Sequence, residues 1–390
     1  MQKNLFTILL GGIFSLAIAM GIGRFSYTVI LPYMQSAEKF SSSTAGFLAT
    51  SNYFGYFVGA VLAGKMDLQN KKTLYLRISL LFSILTTAMM GLSSNIFIWY
   101  IIRFISGVAS AFIFVLASSI VLDVLAKGDK SHLSGIFYSG VGVGIALSGI
   151  IVSPLHKAFE WQGTWIGLAL LCLALFIFIL LWVNDQKTIA KTESSSTSPS
   201  FQHPPSSWIK WLIIAYGLEG LGYIITGTFI VAIADESKSF LYDSATVWIV
   251  AGLAAIPSCI LWSTFAKKAG YVLALICAMV LQGIGVFFPV LSENALSLYA
   301  SAFLFGATFM GITTIATSLG RQILPVNSHR ILGFLTASYA LGQMIGPSIA
   351  GVLAAITNSH HYSLMGATFV IFIGALCLGS GLKYEKRNLA

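Results

Sequence analysis

Twelve stretches of this 390-residue chain run for about twenty residues or more with almost no charge, and that pattern leaves few folds open. A helix of such length crosses the ~30 Å hydrocarbon layer of a bilayer. In lipid every backbone N–H and C=O must be paired within its own segment, so the runs read as helices. A membrane β-barrel needs alternating segments of roughly ten residues, and none is present. Composition agrees: 57% of residues are hydrophobic and 9% charged, where a soluble domain carries roughly 25% charged residues. The expected spans lie near 5–34, 42–64, 73–93, 96–125, 131–154, 162–183, 208–233, 244–266, 270–291, 295–320, 328–356 and 362–382. The start, with Leu16-Ala17-Ile18-Ala19, has the look of a cleavable secretion signal, but the apolar run continues to Leu31-Pro32, too long for one.

Basic residues set the expected orientation, because cytoplasmic loops hold the excess of Lys and Arg. With the N-terminus in the cytoplasm, only Lys39, Lys157 and Lys238 fall on the far side, and Arg24 and Arg103 fall within spans. An even number of spans, both termini cytoplasmic and a multi-pass protein of the cytoplasmic (inner) membrane follow. The scatter of lysines over short loops accounts for the net charge of +9 without a nucleic-acid partner. Cys172, Cys259, Cys277 and Cys377 lie in apolar spans at spacings that fit neither a metal site nor a disulfide frame. No metal or cofactor is expected, and a monomer is the working expectation.

The Ser/Pro-rich stretch 184–207 is the only long polar segment and reads as a cytoplasmic linker between two six-helix bundles, residues 1–183 and 208–390. The halves repeat. Gly21-Ile22-Gly23-Arg24 has its counterpart in Gly220-Leu221-Gly222-Tyr223, Phe104-Ile105-Ser106-Gly107 in Phe303-Leu304-Phe305-Gly306, and Gly135 and Gly144 in Gly333 and Gly342. Transporters are often built from such repeats, with the substrate near the midplane between them. Small residues in the fifth and eleventh spans, Gly144, Gly342, Gly346 and Pro347 among them, let backbones approach closely. They are candidate gating seams or static packing surfaces.

The run Met20-Gly21-Ile22-Gly23-Arg24-Phe25-Ser26-Tyr27-Thr28 and the run Gly217-Leu218-Glu219-Gly220-Leu221-Gly222-Tyr223-Ile224-Ile225 resemble the two signatures of the YbfB/YjiJ-like branch of the major facilitator superfamily. The resemblance spans the whole chain. It implies twelve transmembrane helices in two pseudo-symmetric bundles, an all-α membrane fold with a central cavity and alternating access driven by an ion gradient. Arg103-x-x-x-Gly107-x-x-x-Ala111 is similar to the fourth-span motif tied to proton coupling. Gly64-Lys65-Met66-Asp67 keeps the Gly and Asp of the loop motif that gates the superfamily, without its following Arg and second Gly.

An ionisable group in the hydrocarbon costs about 2.5–3.5 kcal/mol near the centre on insertion scales, so each is a functional candidate. Glu219 is the acidic residue deep in a span, and Arg24 and Arg103 are its basic counterparts. The repeat sets Glu219 level with Met20, one helical turn from Arg24. Burial favours a neutral carboxyl and a nearby guanidinium a charged one. Glu219 is therefore a candidate proton carrier, with a permanent Arg24–Glu219 pair, or a direct contact to a cationic substrate, as the other readings. Arg24 suits bidentate contact with a carboxylate or phosphate. Arg103 is expected to tune proton access or helix packing. Tyr27, Thr28, Tyr138, Tyr216, Tyr223, Thr226, Tyr339 and Gln343 are the candidate substrate contacts on the implied cavity helices, with Tyr53, Tyr56 and Trp248 behind them. The histidines, His360-His361 included, fall in loops or span ends. The spans hold no acid/base dyad or nucleophile elbow, and there is no phosphate-binding G-x-x-x-x-G-K-[ST], which excludes an ATP-driven pump. The function expected is proton-coupled transport of a small amphipathic or anionic organic solute, with export ahead of import, and with a nutrient or metal-chelate importer of the same fold, or a non-transporting membrane sensor, as the alternatives.

Overall fold

The computed structural model describes residues 2–66, 71–128, 130, 133–183, 202–324 and 328–385, with side chains from residue 5 on, except 328 and 329. Every element among these residues is helical. The expected first span is broken into α1 (Gln2–Leu16), a π-helical turn (Ala17–Ile22) and α2 (Ser26–Glu38). There follow α3 (Ser42–Lys65), α4 (Lys72–Met90), α5 (Ile96–Lys127), α6 (Ser134–Trp182), α7 (Ile209–Glu236), α8 (Ala245–Ala269), α9 (Tyr271–Leu291), α10 (Ala295–Ile323), α11 (Ser328–Thr357) and α12 (His361–Gly379).

Ten helical stretches of the described residues are long and apolar enough to cross a membrane. The 49-residue α6 counts once among them, although it turns at Glu160, whose φ of 60° breaks the helix where sequence places two spans. The 24-residue α3 falls outside the ten because Ser, Thr, Asn and Gly dilute its apolar character. Those small residues have work in packing, as shown below.

Polar caps stop the helices at the loops. Ser41 accepts from Thr44 N at 3.2 Å to start α3, Asn95 from Phe97 N at 2.9 Å to start α5, and Asn294 from Ser297 N at 2.9 Å to start α10. Between α8 and α9 Gly270 turns the chain at φ +103°, a conformation that favours glycine, and the Glu385 carboxylate accepts from Val272 N and Leu273 N at 2.9 and 3.1 Å. Helices end in Lys or Arg at one side (Lys65, Lys127, Lys267, Lys268, Arg321), and Glu38, Asp235, Glu236, Asp243 and Glu293 gather at the other. We call these the basic and acidic ends.

The repeat reappears in the contacts. Gly107 of α5 lies against the backbone of Asn52 and Tyr56 in α3, and Gly306 of α10 against the backbone of Ala251 in α8; both partners shift by 199 residues. Gly144 of α6 crosses Gly21, and Gly342 of α11 crosses Gly217, Gly220 and Leu221 in α7. Thr28 Oγ1 donates to the carbonyl of Gly227, its own counterpart 199 residues on. A residue can meet its counterpart only close to an axis that relates the two halves.

Among the described residues the halves meet chiefly where α2 packs on α7, α3 on α11 and α6 on α8. Along α6 and α8 the backbones touch: a Cβ on Gly142 would stand 2.7 Å from Ile256 N, and one on Gly252 2.6 Å from the Ala146 Cα. Gly252→Ala therefore has to push α6 off α8, and we expect a loss of about 1–3 kcal/mol. A Cβ on Gly366 of α12 meets nothing within 4 Å, so Gly366→Ala is neutral or stabilises by up to about 1 kcal/mol through helix propensity. Thermal unfolding of the two variants in detergent reads the contrast. Equal melting temperatures would mean the seam is not close-packed.

Candidate substrate site

The π turn positions Arg24. Gly23 N donates to Ile18 O at 2.7 Å and Phe25 N to Met20 O at 3.0 Å, the wide i→i+5 pairing that leaves a step in the helix. Gly21 and Gly23 permit it, pressed against the Gly144 backbone and Ser83 respectively. Arg24 emerges from this step, 2% exposed, between α3 and α11. Its Nη2 donates to Gln343 Oε1 at 2.8 Å, and its guanidinium carbon stands 4.7 and 4.4 Å from the ring centres of Tyr53 and Tyr56. Cation–π contacts offset about 0.5–2 kcal/mol of a desolvated cation each. They do not neutralise it. Arg24 forms no ion pair among the described residues, and its buried Nε has no hydrogen-bond partner.

Gln343 passes the contact on, its Nε2 donating to Tyr223 Oη at 2.5 Å. From Tyr223 a set of near-parallel rings spreads through the second half: Tyr339 at 5.4 Å, Tyr216 at 4.3 Å beyond it, and Phe305 and Phe309 each at 6.0 Å. Tyr56, Tyr138 and Tyr339 keep some accessible surface between the helices, and we take the space they border to be the central void. The hydrogen bonds between the halves run from Arg24 toward the acidic end. They join Thr28 to Gly227 at 2.5 Å, Thr50 to Ser348 at 2.6 Å, Tyr53 to Thr228 at 3.4 Å, and Ser153 to Asp243. The void is thus roofed on the acidic side.

Glu219 is fully buried, and neither carboxyl oxygen has a hydrogen-bond partner. It faces Gln282 of α9, whose carboxamide is also unpartnered, and it lies near Tyr216 and Tyr339. A carboxylate there would be an uncompensated charge, whereas a protonated carboxyl supplies the donor and acceptor that complement a carboxamide. Arg103 is 1% exposed, with its guanidinium carbon 4.5 Å from the Tyr27 ring and Nη1 donating to the Arg24 carbonyl at 3.4 Å. It too forms no ion pair among the described residues.

The structure brings together Arg24, Gln343, Tyr223, Tyr339 and Tyr216, with Tyr138 on the opposite wall of the void. It sets others apart. The Tyr27 hydroxyl donates to Ala45 O at 3.0 Å, away from the void, and Thr226 is buried with its hydroxyl unpartnered. Thr28 is spent on the contact between halves. The expected approach of Arg24 to Glu219 is not formed: Gln343 holds the guanidinium and Glu219 turns to α9. Of the seam candidates, Gly144, Gly342 and Gly346 pack on the π turn or on α7. Pro347 does cross, meeting Gly46 of α3. Asp67 lies outside the described residues, as does 184–201 of the expected linker. Sequence reading missed Gln282, Phe305 and Phe309. Gln282 is a lone amide in an apolar span, the one signal that would have pointed to it.

His360, between α11 and α12, is 6% exposed and its ring lies 4.8 Å from Phe229. Burial, with His361 beside it, pulls its imidazole down to about 4. In an unfolded chain it protonates near 6.5. The stability from keeping it neutral is complete above about pH 6.5 and is lost as pH falls toward 4, by up to about 3 kcal/mol. We expect the melting temperature of the wild type to fall more steeply from pH 7 to 4.5 than that of His360→Gln. Parallel slopes would assign the acid sensitivity elsewhere.

Buried helices around a void, charged groups at its depth and a fold that repeats about an axis define a membrane transporter. The chain belongs to the family described as "Uncharacterised MFS-type transporter YbfB", which it matches over residues 16–378. It is 23% identical to Multidrug resistance protein 2 of Bacillus subtilis, with 99% of this chain and 97% of that one covered. It is 22% identical to the Sialic acid transporter NanX of Escherichia coli, with 95% and 91% covered. Among solved structures the nucleoside transporter NupG superposes with a TM-score of 0.73 at 14% identity, covering 98% of this chain and 99% of NupG. That likeness is one of fold.

Proposed function

We propose that this transporter is a proton-coupled exporter of a small organic acid, zwitterion or acidic amphipath, working by alternating access in the cytoplasmic (inner) membrane. The observation that carries the reading is Arg24: a buried guanidinium beside a void, with no counter-carboxylate among the described residues and one donor unused. An incoming carboxylate supplies the missing charge and accepts from the free Nε. The relative named for sialic acid accords with an acidic solute, and the one named for multidrug resistance with export.

In this reading the moving units are two six-helix halves, 1–183 and 208–390, with the linker and both termini cytoplasmic. That gives twelve crossings, α6 supplying two. The basic end faces the cytoplasm. The bonds around Thr28, Thr50 and Ser153 then close the far side, and the void is reached from within. Transport requires them to break while contacts at the basic end form. Glu219 is the proton carrier, taking its proton in a protein-lined interior where Gln282 satisfies the neutral acid. It communicates with the solute through Tyr216, Tyr339 and Tyr223 to Gln343, so occupancy of Arg24 and protonation of Glu219 are coupled.

The test is proton movement in proteoliposomes loaded with a pH dye and challenged with pooled organic acids, sugars and cationic amphiphiles. Acid-dependent proton flux is the expected result. Flux with sugars or cations and none with acids would overturn the substrate class, and acid movement with no proton flux would overturn the coupling.

A further inference from the structure

We infer that Ser106 and Ser110, with Arg103, are positioning residues for Arg24: one face of α5 holds the carbonyls that the π turn separates from their helical partners, and so fixes where the guanidinium points. The inference rests on the reading of Arg24 as the solute's anchor and adds the residues that hold that anchor in place.

A step in a helix interrupts its ladder of backbone hydrogen bonds. In an unbroken α-helix Gly23 N would serve Ala19 O and Thr28 N would serve Arg24 O. Here Gly23 N goes to Ile18 O at 2.7 Å and Thr28 N to Phe25 O at 3.2 Å. A buried carbonyl needs another donor, and α5 supplies it. Ser110 Oγ donates to Ala19 O at 2.9 Å, Ser106 Oγ to Gly23 O at 3.3 Å and Arg103 Nη1 to Arg24 O at 3.4 Å. Their spacing of three and four residues puts the three donors on one face of α5, and each is at most 4% exposed. The bond to the Arg24 carbonyl fixes the peptide plane next to the side chain that meets Gln343, Tyr53 and Tyr56.

The second half is an internal comparison. At the repeat offset of 199 residues the counterparts of Arg103, Ser106 and Ser110 are Ala302, Phe305 and Phe309 of α10, and the counterpart of Arg24 is Tyr223. Tyr223 lies in α7, which is helical without a break from Ile209 to Glu236. On this face α10 offers no donor; the Phe305 and Phe309 rings each lie 6.0 Å from the Tyr223 ring. Donors therefore stand where the facing helix is stepped, and rings where it is continuous. Close packing alone does not call for that difference, whereas carbonyls displaced from their ladder do. A side chain that binds a solute keeps its geometry only when the groups behind it are themselves held.

A 1H–15N spectrum of the full chain in detergent, labelled at arginine Nε, tests this without any solute. The Arg24 signal is the one missing in Arg24→Lys, and the rings of Tyr53 and Tyr56 displace it from the position of exposed arginines. In Ser106→Ala/Ser110→Ala it should move toward that position and broaden, each single variant giving part of the movement, with an unfolding temperature close to the wild type. Ser148→Ala removes a buried hydroxyl that bonds inside its own helix α6 and should leave the signal in place. An Arg24 signal unmoved in the α5 variants would overturn the inference, as would an equal movement in Ser148→Ala. Proton flux driven by the pooled organic acids is the functional arm. A neutral hydrogen bond corresponds to about two- to tenfold in an equilibrium. The half-saturating concentration should therefore rise roughly tenfold in the double variant, with maximal flux little changed. A signal that moves while this concentration stays at its wild-type value would overturn the positioning role. Absence of acid-driven flux in the wild type would overturn the acid reading instead, and the Arg24 signal then decides the inference by itself.

Discussion

Arg24→Ala is expected to abolish acid-dependent transport and to weaken binding of the transported acid by at least about a hundredfold. Hydrogen bonds to a charged group contribute about 1.5–3 kcal/mol each, and a bidentate contact loses two of them. Arg103 also lacks an ion pair among the described residues and has an unpartnered Nη2, but it is held at the Tyr27 ring and the Arg24 carbonyl, whereas Arg24 is the guanidinium joined to Gln343, Tyr53 and Tyr56. Removing Arg24 also strands the Gln343 carbonyl. Arg24→Lys separates charge from geometry. It keeps the cation and loses the flat guanidinium that lies against Tyr53 and Tyr56, so a drop of roughly tenfold is expected. Equilibrium binding with a radiolabelled acid chosen from the flux screen measures both. An alanine variant that binds the acid as tightly as the wild type would remove Arg24 from the substrate site.

How much of this was readable before the fold was known depends on which coordinate of each residue is asked about. Depth along the membrane was legible. The spans follow from long apolar runs, and the repeat of Gly21 in Gly220 and Gly107 in Gly306 located equivalent levels in the two halves, which the contacts bear out. Azimuth was not. Arg24 and Glu219 sit at neighbouring depths, yet Gln343 faces the first and Gln282 the second, because rotation about a helix decides the partner and an all-apolar span carries no periodic signal to fix it. The same gap explains Gly144 and Gly342. They were recognised as close-packing residues, but only the fold shows that they pack on the π turn and on α7 while Gly142, Gly252 and Gly46 form the contacts between halves. The π turn itself depends on which carbonyl each N–H finds, and no residue type prescribes that. Its glycines permit the step without encoding it.

Glu219→Gln carries the second large effect. The variant is expected to fold, because glutamine is isosteric with a protonated carboxyl and its amide can exchange hydrogen bonds with Gln282. What it cannot do is release a proton. Substrate-induced pH change in proteoliposomes should therefore disappear, and the imposed proton gradient should no longer move solute uphill. Equilibrium exchange of labelled for unlabelled solute needs no net proton transfer and should persist. That combination distinguishes a coupling residue from a structural one: a defect in packing lowers exchange and coupled transport together. Gln282→Leu supplies the complementary case. It takes from a protonated Glu219 the carboxamide that complements it and leaves Tyr216 and Tyr339 as the polar groups nearby. Leaving a buried polar group unsatisfied costs about 1–3 kcal/mol, so a lower melting temperature is expected, with Glu219→Gln close to the wild type. If Glu219→Gln retains full proton flux, the carrier lies elsewhere and Glu219 is a buried acid held neutral for packing. If exchange fails along with flux while the variant still folds, Glu219 belongs to the transport pathway of the solute itself.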